Sequence, residues 1–254
     1  MYSGAIKLGP TKLAGGSSGS IVAASYCGGA DLGQMAAALF LELEKCGDVK
    51  GARNCIGNIH NINAALLDAV LPEGSQYQDC NGNMSIQYTL VKYPPDGLCG
   101  RHASTEGIIG SHLINQFYNR SDLINAMGAS SWIRGFSDPV RQCSYEFRGE
   151  YCEDAGYSLD LPCPVGFTNC LKISGQPPQT WESALGNATI YPGIYGWYPY
   201  GMSLATFEKD DGNFGCNPIA VNKHKYALFE AGMNDTKHWL AQNWNGAGWK
   251  TTYT

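Results

Sequence analysis

Residues 15–19 read GGSSG, which fits the G-x-S-x-G spacing of a nucleophilic serine. That chemistry requires Ser17 to stand on a sharp turn from a β-strand into an α-helix, within a sheet that carries its catalytic partners. Only fourteen residues precede the motif, too few to build such a sheet ahead of it. The composition therefore favours a flexible segment rich in glycine and serine over a catalytic turn.

Three carboxylates form a second group of candidates. Glu146, Glu150 and Glu153 lie close together in the sequence, among aromatic residues and cysteines. A glycosidase uses two carboxyl groups about 5–10 Å apart as acid and base or nucleophile. These three residues are therefore the acid–base candidates, although isolated acidic side chains more often form solvated surface.

Five aromatic residues lie in the ten-residue segment 191–200. Rigid rings bury much area at a small loss of entropy, so such segments are frequent at interfaces. The segment is interpreted as an interface or as a loop packed over the core, with stacking on sugar rings as the alternative. The residues are Tyr191, Tyr195, Trp197, Tyr198 and Tyr200.

No cofactor is expected. Asp79, Asn81 and Asn83 resemble the start of a calcium loop, but Met84 and Leu90 stand where an EF-hand needs glycine and glutamate. An irregular calcium site at these oxygens or at residues 210–213 is an alternative to ordinary turn chemistry. The five histidines match no zinc motif and are expected to be structural.

The ten cysteines contain no C-x-x-C pair and no zinc-finger spacing. They favour disulfides formed in an oxidising compartment over buried free thiols, with at least one bridge inside residues 143–170. The sequence does not determine which cysteines pair with each other. The cysteines are Cys27, Cys46, Cys55, Cys80, Cys99, Cys143, Cys152, Cys163, Cys170 and Cys216.

Four N-x-[ST] sequons, at Asn83, Asn119, Asn187 and Asn234, agree with a secreted glycoprotein. We therefore expect an extracellular location. The first residues show no signal peptide, so a virion or cell-surface protein is an alternative. The net charge of −5 argues against nucleic acid as a partner, and the longest apolar run, seven residues, is too short for a membrane span.

The elements that must position these residues differ between the two halves of the chain. Residues 1–30 are interpreted as an extended arm, with strand-prone segments at 5–8 and 20–23. Hydrophobic periodicity predicts a helical hairpin over 31–71. It also predicts a strand over 84–93 and a third helix over 104–118. Ser121 is expected to begin a fourth helix and Asn222 a last one.

These elements predict an α+β fold with two parts. A helical hairpin and two further helices make the first half, and disulfides brace a second half of loops and short strands. Residues 31–254 are expected to be one globular domain, with a helical part (31–137) and a part rich in cysteine, proline and aromatic residues (138–254).

The leading functional hypothesis is an extracellular, self-assembling structural subunit of a coat, filament or surface layer. Its partners would be copies of itself, bound through strand addition by the arm and through aromatic contacts. The alternative is a secreted glycan hydrolase or carbohydrate-binding protein that uses the carboxylates and the aromatic segment. A carrier with a cavity among residues of the helical half is a third hypothesis, and ordinary core packing explains the same residues. These are Met35, Phe40, Leu67, Phe117 and Met127.

Overall fold

A computed structural model gives the arrangement of five strands, six α-helices and one 3-10 helix within the residues that it describes. The strands are β1 (Leu13–Gly16), β2 (Met84–Val91), β3 (Ile108–Ile114), β4 (Tyr145–Phe147) and β5 (Glu150–Glu153). The helices are α1 (Ser18–Cys27), α2 (Leu32–Lys45), α3 (Ile59–Val70), α4 (Tyr77–Cys80), α5 (Arg120–Ser130) and α6 (Pro218–Asn243), with a 3-10 helix at Ala155–Ser158. The structure describes residues 12–45, 57–71, 73–74, 77–93, 107–134, 137, 142–158, 161–168, 170–174, 190 and 218–243.

The five strands form one mixed sheet around β2. Strand β3 runs antiparallel to β2 along most of its length, from Ile86 to Val91. Strand β1 is parallel to β2 and β5 is antiparallel to it, and both pair with residues that also pair with β3. A strand has only two edges, so β1 and β5 share the edge that β3 leaves free.

Strands β1 and β5 meet on this shared edge with their carboxyl ends facing each other. The pairing of β1 ends where Gly16 lies opposite Gln87, and the pairing of β5 ends where Glu153 lies opposite Thr89. Only Tyr88 of β2 lies between these two positions. The polypeptide must therefore leave the sheet beside Tyr88 after both β1 and β5. The residues that follow these two strands are brought together there.

Period-two alternation gives β2 an apolar face and a polar face. Met84, Ile86 and Tyr88 are almost fully buried in a core shared with α1, α3 and α5. On the other face, Gln87 donates to Ser158 Oγ at 3.2 Å, which places the 3-10 helix over the sheet. Both faces are covered, which explains why six consecutive residues of β2 are buried.

Much of the sequence-based prediction is confirmed. The fold is α+β, with helices dominating the first half and short strands and loops the second. The hairpin corresponds to α2 and α3, which contact each other, the strand is β2, and the last helix is α6. Helix α5 begins one residue before Ser121, and its cap is Asn119, whose Oδ1 accepts from the amide of Asp122 at 2.8 Å.

Two predictions of secondary structure are wrong. The expected third helix, over 104–118, contains strand β3, because a ladder to β2 satisfies its backbone groups and outweighs the local helical spacing. In the expected arm, over 1–30, the described residues 12–30 contain β1 and α1, and the extended candidate at 20–23 is helical, whereas the candidate at 5–8 lies outside the described residues. Gly15 and Ala24 are buried, so this segment belongs to the core from residue 13 onward.

Disulfides are present, but not at every cysteine. Bridges join Cys27 to Cys80 and Cys163 to Cys170, and the second confirms the local bridge expected within 143–170. Cys152, which was predicted to be bridged, is a buried free thiol. Its position on β5 opposite Leu90 directs it into the core, and burial raises its pKa to about 12. Cys143 is also disulfide-bonded, whereas Cys46, Cys55, Cys99 and Cys216 lie outside the described residues.

Candidate active site at Ser17 and Asp154

Ser17 forms the turn between strand β1 and helix α1. Its backbone has φ 53° and ψ −132°, a conformation with positive φ that side chains other than glycine rarely adopt. Residues held in this way store strain and are frequent at functional sites. The motif GGSSG is therefore a strand-to-helix turn in a sheet, and the interpretation as a flexible segment is wrong.

Glycine is required on the strand side of this turn. A Cβ atom on Gly15 would lie 2.4 Å from the carbonyl oxygen of Gly19, and one on Gly16 would lie 2.8 Å from Cβ of Ala155. Both distances are shorter than real contacts allow. At Gly19 a Cβ would meet nothing within 4 Å, so sterics fix only the first two glycines of the motif.

The side chain of Ser17 contacts a buried carboxylate. Its hydroxyl donates to Oδ2 of Asp154 at 2.5 Å, and the other carboxylate oxygen accepts from the amide of Gly156 at 2.7 Å. Asp154 is 6% exposed, whereas Ser17 is only half-buried. A serine that is reachable from solvent is thus hydrogen-bonded to an acid shielded from it.

The backbone of Asp154 is held on both sides. Its amide donates to the carbonyl oxygen of Trp132 at 2.7 Å, and its own carbonyl oxygen accepts from Oγ1 of Thr89 at 2.8 Å. With the bond to Gly156, these contacts fix the carboxyl group in place, as a catalytic group requires.

Burial raises the pKa of Asp154 to about 6, and the hydrogen bonds from Ser17 and Gly156 oppose that rise. The group is therefore ionised at neutral pH and is a stronger base than a solvated aspartate. A pKa near the working pH is the property that a general base needs.

The amino end of α1 begins at the residue after Ser17. The side chain of Ser17, the N-cap residue, makes no capping hydrogen bond to this end of the helix, and Ser18 and Gly19 are exposed. Amides at a helix amino terminus, together with the helix dipole, stabilise negative charge. In a serine nucleophile turn, the amide after the serine is one donor of the oxyanion hole, and here that amide belongs to Ser18.

The three sequence-predicted carboxylates are not gathered at one place. The register of β4 and β5 puts Glu146 and Glu153 on one face of the hairpin and Glu150 on the other. Glu150 accepts a hydrogen bond from the Tyr88 hydroxyl at 2.6 Å and lies 3.0 Å from Nδ1 of His112. Burial raises the pKa of Glu153, and Glu146 is exposed.

Other predicted sites are placed only in part. The five aromatic residues of segment 191–200, the sequon at Asn187 and residues 210–213 lie outside the described residues. Asn119 is exposed, whereas Asn83 and Asn234 are half-buried. The described part of the chain contains no group of three or more histidine, cysteine or acidic residues that could hold a metal ion.

The calcium candidates Asn81 and Asn83 are engaged with the protein. Oδ1 of Asn81 accepts from the amide of Phe117 at 2.6 Å, and Oδ1 of Asn83 accepts from Nζ of Lys12 at 2.6 Å. In these bonds the two side chains stabilise the turn before β2, a common role of asparagine.

Sequence reasoning had the serine motif but missed its partner. Asp154 lies 137 positions from Ser17, and no local pattern links the two. The signal that was available is the pair of glycines directly before Ser17.

Comparisons with family models, with curated proteins and with solved structures give no match to this chain. Among the described residues, no helix combines the length and the apolar character needed to cross a bilayer.

Proposed function

We propose that this protein is a serine hydrolase that cleaves carboxylic esters, with Ser17 as nucleophile and Asp154 as general base. The observation that supports the proposal is the 2.5 Å hydrogen bond from the Ser17 hydroxyl, on a turn with positive φ, to a buried carboxylate. A nucleophile within hydrogen-bond reach of its base, with the base held by further bonds, is the general arrangement of covalent acyl transfer.

The reaction follows from these contacts. Asp154 takes the proton of the Ser17 hydroxyl as Oγ attacks the ester carbonyl carbon, and the carbonyl oxygen becomes an oxyanion beside the Ser18 amide. When the intermediate collapses, the bond to the alcohol oxygen breaks and Asp154 returns the proton to that oxygen. Water then attacks the acyl group on Ser17 with Asp154 again as base, which releases the carboxylic acid and restores both residues.

Esters are favoured over amides because of the leaving group. An alkoxide departs more readily than an amide nitrogen, which must be protonated before the bond breaks. Protonated Asp154, with a pKa of about 6, is acidic enough to give its proton to the departing alkoxide. General-base catalysis of this kind contributes about 10²–10⁴-fold to the rate.

A fluorophosphonate probe tests the proposal on the full chain, because it phosphonylates activated serines. The expected result is stoichiometric labelling, with the modified peptide containing Ser17. Labelling and hydrolysis of a p-nitrophenyl ester disappear in Ser17→Ala and slow by about 10²–10⁴-fold in Asp154→Asn. Ser111→Ala, which removes an exposed hydroxyl of β3, is the matched control and keeps both activities. Equal labelling of the wild type and Ser17→Ala would reject the proposal.

We also propose that the protein works in an oxidising, extracellular compartment. The bridges Cys27–Cys80 and Cys163–Cys170 support this location, because disulfides persist there and are rare where thiols are kept reduced. Thiol quantification of protein isolated from its native source, with and without prior reduction, checks it. Bridges that are reduced in freshly isolated protein would contradict it.

The self-assembling subunit and the glycan hydrolase remain predictions of the sequence. Self-association is checked by light scattering of the full chain, where a single mass near 27.4 kDa would contradict it. Glycan hydrolysis is checked by replacing Glu146, Glu150 and Glu153 one at a time by glutamine, where unchanged turnover in all three would exclude these residues.

A further inference from the structure

We infer that Ser130, the last residue of α5, is a positioning residue that holds Ser17 in its reactive conformation, an inference that rests on the proposed function. The Oγ atom of Ser130 accepts a hydrogen bond from the backbone amide of Ser17 at 2.9 Å and donates one to the carbonyl oxygen of Gln87 at 2.6 Å. Ser130 has no exposed surface. Its hydroxyl therefore joins the nucleophile turn to the central strand.

The Ser130 hydroxyl lies where the turn at Ser17 leaves two backbone groups without a ladder partner. The ladder between β1 and β2 ends at Gly16 and Gln87, where the chain turns out of the sheet. The amide of Ser17 and the carbonyl of Gln87 are the backbone groups next to that end. A hydroxyl can donate one bond and accept another, so Ser130 satisfies both groups at once. Buried backbone groups without partners are strongly unfavourable, and the turn would move to recover them.

The segment that follows α5 also holds Asp154, the base of the nucleophile–base pair. Two residues after Ser130, the carbonyl oxygen of Trp132 accepts from the amide of Asp154 at 2.7 Å. Leu123 and Met127 of α5 are buried in the core, which fixes the helix against the sheet. One rigid segment thus sets the distance between the nucleophile and its base.

The test is the rate of Ser17 acylation and phosphonylation in Ser130→Ala, measured on the full chain. The variant loses both bonds, so the nucleophile moves relative to Asp154, and we expect kcat to fall about 10–100-fold while KM stays unchanged. In Ser130→Cys, whose thiol is a weak donor and acceptor, we expect an intermediate rate. Because the hydrogen bond from Ser17 lowers the pKa of Asp154, weakening that bond in Ser130→Ala should move the pH of half-maximal activity upward.

Two control variants separate positioning from loss of stability. Ser131→Ala removes a hydroxyl that donates to the carbonyl oxygen of Met127, one helical turn back, and is expected to keep the wild-type rate. Met35→Ala removes a buried side chain of α2, a helix that carries none of the site's hydrogen bonds, and lowers the stability, so its folded fraction should keep the wild-type kcat.

The outcomes are distinguishable. If the wild type is labelled at Ser17 and Ser130→Ala reacts at the same rate, Ser130 has no positioning role, although the proposed function stands. If Met35→Ala loses as much kcat as Ser130→Ala, the effect is one of stability and the inference is overturned. If the wild type itself is not labelled, both the proposed function and this inference fail. Should Ser130→Ala not fold, the Ser130→Cys rate decides, and an unchanged rate overturns the inference.

Discussion

Replacing Asp154 by asparagine should make the protein more stable at neutral pH while it removes the base. Asparagine has nearly the same shape, and its amide can keep both contacts, with the Oδ1 atom accepting from Gly156 and the Nδ2 group donating to Ser17. What changes is the buried charge. Burial raises the pKa of Asp154 from 3.8 to about 6, so ionisation of this group costs more free energy in the folded protein than in the unfolded chain.

The magnitude follows from the linkage between proton binding and folding. The rise in pKa corresponds to about 3 kcal/mol, at about 1.4 kcal/mol per pH unit. The folded state binds the proton more tightly than the unfolded state. The carboxyl group therefore lowers the wild-type stability progressively between about pH 4 and pH 6, and by the full amount above that range. The Asp154→Asn variant should gain up to about 3 kcal/mol at pH 8 and almost nothing at pH 4.

Urea unfolding monitored by circular dichroism, at steps between pH 4 and pH 8 with the disulfides intact, measures this difference. Asp79→Asn, which removes an exposed carboxyl group of α4, controls for the change in net charge. A difference between the wild type and Asp154→Asn that does not vary with pH would refute the reasoning. So would a variant that is less stable than the wild type at pH 8.

Three further predictions follow from the same site and from the bridges. Ester hydrolysis should rise with pH, reach half its maximum near pH 6 and level off above about pH 7, because Asp154 must be ionised to accept a proton, and a profile of kcat/KM between pH 4.5 and pH 8 checks this. Gly15→Ala should lower the stability by about 1–3 kcal/mol through overpacking, whereas Gly19→Ala, in open space within α1, should leave it unchanged or raise it by up to about 1 kcal/mol. Thermal unfolding of the two variants distinguishes these effects. Replacing Cys27 and Cys80 together by alanine should cost about 4 kcal/mol, because the bridge closes a loop with a sequence separation of 53, and denaturant unfolding of the double variant measures it.

Local patterns predicted the elements whose own residues show a clear helical or strand periodicity. The hairpin of α2 and α3 and helix α6 have apolar residues at helical spacing, and β2 alternates among residues that favour strands. Strand β3 was missed because its partners on β2 lie 17 to 28 positions earlier, from the pair Val91 and Ile108 to the pair Ile86 and Ile114. Segment 104–118 also has a helical spacing of apolar residues, and pairing with β2 decided the outcome.

The candidate site also depends on pairing between residues that are far apart in the chain. From the sequence, the motif at 15–19 was one of many short matches, and the chain before it was too short to build a sheet. The sheet is instead built by four strands within residues 84–153, which come later in the chain, and one of them, β2, pairs with β1. The number of residues before a motif therefore does not limit the sheet in which it folds.

The sequence by itself determined the residue types that the site uses: the glycines that permit a tight turn, the serine with its hydroxyl, and an aspartate with no visible partner. It also determined the α+β composition and the presence of disulfides. Only the tertiary structure decided that β1 and β5 meet with their carboxyl ends on one edge of β2, which brings Ser17 within 2.5 Å of Asp154. The physical reason is that a hydrogen-bonded ladder fixes distances between residues far apart in the chain. Burial at that meeting point then sets the charge state of Asp154.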